Sequence, residues 1–391
     1  MKGGRRMKKR EKDKRGKGLS RRDFLKEGGK LAVAASALGT GMLFKVPPAR
    51  AAKSLQGTGE VVVCGWGGAF QDAMKETMFE PFTKETGIKV IDTSTPDSAQ
   101  VKAQVDSKNV EWDLANLSYQ DGIILGESYW EKLDYSYFDD ADLKGISAVA
   151  RTPISCAGYF FSYIIAYNEK KYAGENHPKS WADFVDSQKF PGKRTFPGIG
   201  GGGHVHCEEA QMGMGVAKDK LYPPDTKKVW AFYDKLKPHC IKWWSMGAEA
   251  PQLLVDGEVD IASAYSGRIQ QLIDKDLPFK IEWNQGVMSE NGWLVLKGAK
   301  NLTNAMKFIA FASRAEIQAA LAAKIPYGPS NLRAFEFIKP DLRAKLNTAP
   351  EIFDKQVVIN WDWYIKKTLD PAGKIENREY LANEFQSWVL K

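Results

Sequence analysis

The chain has 391 residues and a formal net charge of +8, unevenly spread. Of its 56 Lys and Arg, 16 fall in residues 1–51, against 4 of its 48 Asp and Glu, so residues 52–391 carry 40 basic and 44 acidic groups. That slightly acidic body gives no electrostatic reason to expect a nucleic-acid or anionic-membrane partner, and 12 Trp, 14 Tyr and 19 Phe in the chain supply core enough for more than one lobe.

The basic beginning contains Ser20-Arg21-Arg22-Asp23-Phe24-Leu25-Lys26, then the soft apolar run Leu31 to Phe44 and Ala49-Arg50-Ala51. The apolar run is shorter than the ~20 residues a membrane span requires. Paired arginines, apolar run and small residues resemble a twin-arginine export signal cleaved near Ala51. The resemblance implies a periplasmic protein handled by the twin-arginine machinery, with residues 1–51 removed. In that oxidising compartment the four cysteines, Cys64, Cys156, Cys207 and Cys240, are free to pair. Cys64 and Cys156 sit in apolar runs and read as buried thiols. Cys207 and Cys240 stand beside polar residues and form the candidate disulfide.

Glu60 to Cys64 is an apolar run ending at Gly65, as a buried parallel strand does. Phe70, Met74, Met78 and Phe82 come next at helical spacing, and Gly87 is placed to close that helix. Ile88 to Ile91 predicts a second strand, Ala99 to Val105 a short helix, and Trp112 to Ala115 a third strand. Pro153 to Tyr167 predicts an extended segment crossing a hinge. Beyond it the alternation repeats: a helix capped by Ser180 and Asp183, a strand at Arg194 to Phe196, a helix through Val229 and Tyr233, and strands at Ile241 to Trp244 and Asp260 to Ala264. A strand from Trp293, an apolar helix after Asn301, and a helical stretch over Pro350 to Leu390 complete the chain. This is an α/β pattern run twice, with no linker between the halves.

The segment Val295-Leu296-Lys297-Gly298-Ala299-Lys300-Asn301 leads into Ala305-Met306-Lys307-Phe308-Ile309. With Ala166-Tyr167-Asn168, Ser180-Trp181-Ala182-Asp183-Phe184, Pro191-Gly192-Lys193-Arg194 and Ile325-Pro326-Tyr327-Gly328-Pro329, it resembles the periplasmic solute-binding proteins of ABC transporters, spermidine/putrescine-binding group. The resemblance implies a two-lobed type II fold, mostly parallel sheets flanked by helices and joined by hinge strands. Lobe 1 would take residues 58–158 and 291–335, and lobe 2 residues 159–290 and 336–391. It also implies binding without catalysis, no cofactor, a monomer, a small polar solute, and a membrane permease as partner.

Ligands of open α/β sheets lie beyond the carboxyl ends of strands, which selects candidates by position. Trp66 stands between glycines after the first strand; Ser118 and Tyr119 come after the third. Trp244, Tyr265 and Arg268 close strands of the second half, Glu290 sits at the second crossing, and Tyr327 lies in the turn before Gly328. Aromatic faces suit cations and aliphatic stems, and an arginine fork suits a carboxylate. The expected solute is an organic amine, polyamine-like or amino-acid-like. Polyamine-binding relatives carry an aromatic and an Asp at the second crossing, where this chain has Ser289-Glu290-Asn291. The glycine run 198–203 offers backbone N–H groups for an anion but lacks the ending of a P-loop. An exported enzyme is the alternative, but the sequence has no cofactor fingerprint, nucleophile elbow or strong metal spacing to support one. A ferric-iron binder of the same fold would need a tyrosine pair in the matching turn, and this chain has none.

Overall fold

The computed structural model describes residues 52–199 and 206–391. The export segment and most of the glycine run therefore lie outside the described residues. Ten strands form one sheet: β1 (Glu60–Gly65), β2 (Lys89–Ser94), β3 (Leu114–Leu117), β4 (Cys156–Asn168), β5 (Arg194–Pro197), β6 (Cys240–Trp244), β7 (Ile261–Tyr265), β8 (Phe279–Val295), β9 (Gly328–Pro329) and β10 (Val357–Val358). The order is β2-β1-β3-β8-β4-β7-β5-β6, with β9 beside β4 and β10 beside β8.

Two long strands hold the halves together. β4 and β8 run antiparallel along their whole shared length, from Cys156 opposite Trp293 to Asn168 opposite Phe279. The near end of β8 pairs with β3, and β3 with β1, whose other neighbour is β2; β1, β2 and β3 run parallel. The far end of β4 pairs antiparallel with β7, which continues in parallel through β5 to β6. Each half is thus a mostly parallel sheet covered by helices, with one antiparallel strand from the crossing ribbon.

Each half has its own core. The first gathers Phe82, Trp293, Phe308 and Phe311, with Phe82 set edge-on to Phe308 at 5.3 Å. The second gathers Trp181, Phe196, Tyr233 and Trp244. β4 reads as a near-continuous apolar run because both its faces are covered, whereas β8 carries polar residues and is mostly buried only from Gly286 onward. The helix expected after β1 spans Gly68 to Thr86 with a π turn at Lys75–Phe79, and Gly87 closes it at φ 82°, a left-handed conformation that glycine adopts without strain. Ser180 caps the helix Trp181–Val185, accepting the Asp183 N–H at 3.2 Å.

The buried Arg194 explains the Pro191-Gly192-Lys193-Arg194 segment. Its guanidinium donates to the carbonyls of Phe184 (2.6 Å), Phe190 (2.6 Å), Asp186 (3.1 Å) and Gly192 (2.5 Å), folding that loop around itself. Four carbonyl dipoles replace a carboxylate partner and satisfy a charge that burial would otherwise penalise.

Two expectations are corrected. The end of the chain is not one helical stretch: short helices at Pro350–Phe353 and Trp361–Tyr364 flank β10, and a longer one covers Asn377–Val389. Ile338 and Leu346 pack with Ala319 and Ala322 and Phe353 joins the first core, whereas Trp361, Phe385 and Trp388 join the second. The chain therefore crosses between halves a third time beside β8. The Cys207–Cys240 bridge is not formed, and all four thiols are free. Cys207 is buried in the helix Cys207–Gly213, while Cys240 opens β6 and donates to the Lys242 carbonyl at 3.3 Å. Burial pushes the Cys240 thiol up to about 12, so it behaves as a small apolar side chain.

Candidate functional site

A cavity of about 650 Å³ opens between the halves, against the crossing ribbon and beyond the carboxyl ends of β1, β3 and β7. Trp66, Ser118, Tyr265, Arg268 and Tyr327 all line it. Each reaches it for a local reason. Gly67 and Gly68 take φ 74° and 58°, which turns the chain sharply after β1 and leaves Trp66 46% exposed at the rim. The amide of Asn291, turned so that its oxygen accepts, takes the Trp66 indole N–H at 2.9 Å. Gly267 lets the Tyr327 ring approach, since a Cβ there would meet that ring at 2.4 Å. Arg268 lies in the helix Ser266–Ile273 that leaves β7. Met246, 67% exposed, stands on the opposite half from Trp66 and also lines the cavity.

Three expected residues are placed elsewhere. Tyr119 is half-buried, and its backbone N–H donates to Glu290 Oε1 at 3.1 Å. Glu290 itself is buried and turns away from the cavity: Ser289 and Asn291 line it, and successive residues of a strand face opposite sides. Burial pushes its carboxyl up to about 7, against the pull of the Tyr119 N–H. Trp244 is fully buried, donates to the Ser263 carbonyl at 2.9 Å, and meets Tyr265 edge-on at 5.3 Å from beneath. It supports the cavity wall without reaching its surface.

Sequence reasoning missed Phe70, Asp121, Tyr159 and Phe161, which also line the cavity. Tyr159 and Phe161 are two apart on β4 and so share a face; that spacing was the available signal. Tyr159 stacks on Tyr327 at 5.3 Å and 10°, while Phe161 meets Tyr265 edge-on at 5.0 Å. Asp121 was hidden by a local role, since it completes the capping box begun by Ser118.

The electrostatics are sparse. Asp121 and Arg268 are the only charged side chains among the described lining residues. Arg268 makes no ion pair with any carboxylate among the described residues, and its charge acts on the hydroxyls of Tyr327, Tyr159 and Tyr265. Burial pushes the Tyr265 hydroxyl up to about 12, so it stays protonated as a donor. An aromatic box with a guanidinium that no carboxylate neutralises can hold an apolar stem and a carboxylate without transforming either.

The sequence matches the bacterial extracellular solute-binding protein family over residues 77–352. It is 31% identical over 341 residues to a gamma-aminobutyric acid-binding protein of Pseudomonas aeruginosa, covering 85% of this chain and 91% of that one. It is 24% identical over 298 residues to the spermidine/putrescine-binding periplasmic protein of Escherichia coli, covering 73% and 82%. An ABC transporter substrate-binding protein from Bradyrhizobium japonicum superposes with a TM-score of 0.75 at 33% identity, over 84% of this chain and 99% of that one. Two mostly parallel half-sheets on a crossing ribbon, a cavity between them, and these matches lead to one conclusion: the chain belongs to the bacterial extracellular solute-binding protein family, whose members serve ABC transporters.

Proposed function

We propose that this protein captures a small organic solute bearing a carboxylate and an amine, of the γ-aminobutyrate type, and presents it to a membrane permease. The observation that carries the reading is Arg268: a guanidinium in an aromatic cavity with no carboxylate partner among the described residues. A planar fork aimed into such a space suits a solute carboxylate. A polyamine has no group for it, which favours the relationship to the aminobutyrate-binding protein over the polyamine-binding one. The protein acts by binding alone, as a monomer, with Trp66, Ser118, Tyr265 and Tyr327 forming the walls. Its lobes are 58–158 with 291–335 and 159–290 with 336–391, apart from Tyr159, Phe160, Met288 and Phe353, which join the first core, and Ile338 and Leu346, which pack with Ala319 and Ala322.

Titration calorimetry on the mature protein tests this. γ-Aminobutyrate should bind and putrescine should not, and Arg268→Ala should weaken γ-aminobutyrate about tenfold or more with an unchanged circular dichroism spectrum. Equal binding of both solutes, unaffected by Arg268→Ala, would refute the reading. Export by the twin-arginine route, with cleavage near Ala51, rests on Arg21 and Arg22. Changing both to lysine should hold precursor in the cytoplasm, and normal periplasmic accumulation would count against that route.

A further inference from the structure

Asp121 is the second residue of interest in the cavity. It lies in the first turn of the helix Tyr119–Leu125, which leaves β3, so it belongs to the opposite half of the molecule from Arg268. Its Oδ2 is committed to the helix start, accepting the Ser118 N–H at 3.0 Å and the Ser118 hydroxyl at 2.6 Å. Its Oδ1 accepts no hydrogen bond from any described residue, although the side chain is in the cavity wall. A helix cap needs one carboxylate oxygen, and an asparagine would cap almost as well. The second oxygen, partly exposed in the cavity wall and bonded to no described residue, is left for a solute.

The surroundings set the sign of what arrives. The carboxylate of Asp97, from the loop after β2, acts on Asp121. Arg378 also acts on it, but is itself paired with Glu376 at 2.6 Å. This end of the cavity is therefore net negative. The other end holds Arg268 among tyrosine hydroxyls, and Tyr265, between them, senses the charge of both.

We propose that Asp121 is the specificity-determining residue of the cleft, its free Oδ1 accepting the ammonium end of a solute whose carboxylate is held by Arg268 from the opposite half. This deepens the proposed capture of a γ-aminobutyrate-type solute and rests on it. The site then selects a molecule with opposite charges at its two ends and rejects diamines at Arg268 and simple carboxylates at Asp121. A solute gripped this way ties one half of the protein to the other through its own length, so neither half alone completes the recognition.

The test compares γ-aminobutyrate with butyrate, which lacks only the amine, on wild-type protein and on Asp121→Asn. Asparagine keeps an acceptor for the Ser118 cap while removing the charge. The expected result is a loss of about tenfold to a hundredfold in γ-aminobutyrate affinity, with butyrate affinity, measured by competition, unchanged or raised. Undiminished γ-aminobutyrate binding in Asp121→Asn overturns the assignment while leaving the reading of Arg268 intact. Equal losses for both solutes also overturn it, since they show a capping role alone. Wild-type protein that binds neither solute removes the underlying reading and the assignment with it, a result distinguishable from both others.

Discussion

Glu290 carries a pH dependence that can be worked from its surroundings. Its carboxyl is buried, and its ionisation is displaced from 4.5 to about 7, chiefly by loss of hydration. A carboxyl whose folded value is raised binds its proton more tightly in the native state. Its contribution is fully present below pH 4.5 and is lost as the pH rises through 7. The displacement corresponds to about 3 kcal/mol of stability lost across that interval. Glu290→Gln removes the ionisation and keeps a neutral acceptor for the Tyr119 N–H, as the protonated carboxyl does. The variant should therefore match the parent at about pH 4.5 and exceed it by about 3 kcal/mol at about pH 8, roughly 4 °C in melting temperature for a protein of this size. Thermal melts of both proteins at half-unit pH steps give the difference directly. Glu208, also raised to about 7 by burial, is common to both and cancels. A gap that does not change with pH, or a variant less stable at the alkaline end, would refute the reasoning.

Trp244→Ala should act on the fold first, costing about 3–5 kcal/mol by denaturant titration, because it empties a fully buried site; a variant of native stability with only weakened solute binding would place the indole in the cleft after all. Arg194→Lys should lose about 2–4 kcal/mol, since an ammonium cannot reach four carbonyls arranged for a planar fork, and urea titration reads it. Trp66 should report solute capture: a rim indole covered on binding gives a blue-shifted emission that Trp66→Phe abolishes. Non-reducing peptide maps of protein isolated from the periplasm should show Cys207 and Cys240 unlinked, each alkylated only after unfolding.

The strands were legible wherever both faces are buried, because an uninterrupted apolar run between turn residues has few other uses. β1, β5 and β7 fall within a residue or two of where the pattern puts them, and Pro153 to Tyr167 marks β4. The position of the cavity could be read from strand ends. What failed was orientation. Glu290 and its neighbours show this best: one step along a strand exchanges cavity for interior, and no local chemistry distinguishes a carboxylate facing a solute from one facing a backbone N–H. Trp243 and Trp244 posed the same problem. Asp121 was obscured for another reason, since a residue with a sufficient local explanation draws no further attention. Pro350 to Leu390 was misread because short helices separated by polar turns and a two-residue strand share their composition with one long helix.

The crossing ribbon also fixes the order in which the molecule can be completed as it is made. The Asn116 amide on β3 donates to the Gly292 carbonyl on β8 at 3.0 Å, a partner 176 residues further along. At roughly 5–20 residues per second, translation takes about 10–35 s to deliver that partner. During this wait β3 has an open edge, and the first core lacks Trp293 and Phe308, while most of the second half is already emerging. Neither half is thus finished before the other has begun: the first waits for β8 and Phe308, the second for Trp361, Phe385 and Trp388, and the nascent protein depends on whatever shields the unpaired edge of β3 in the meantime.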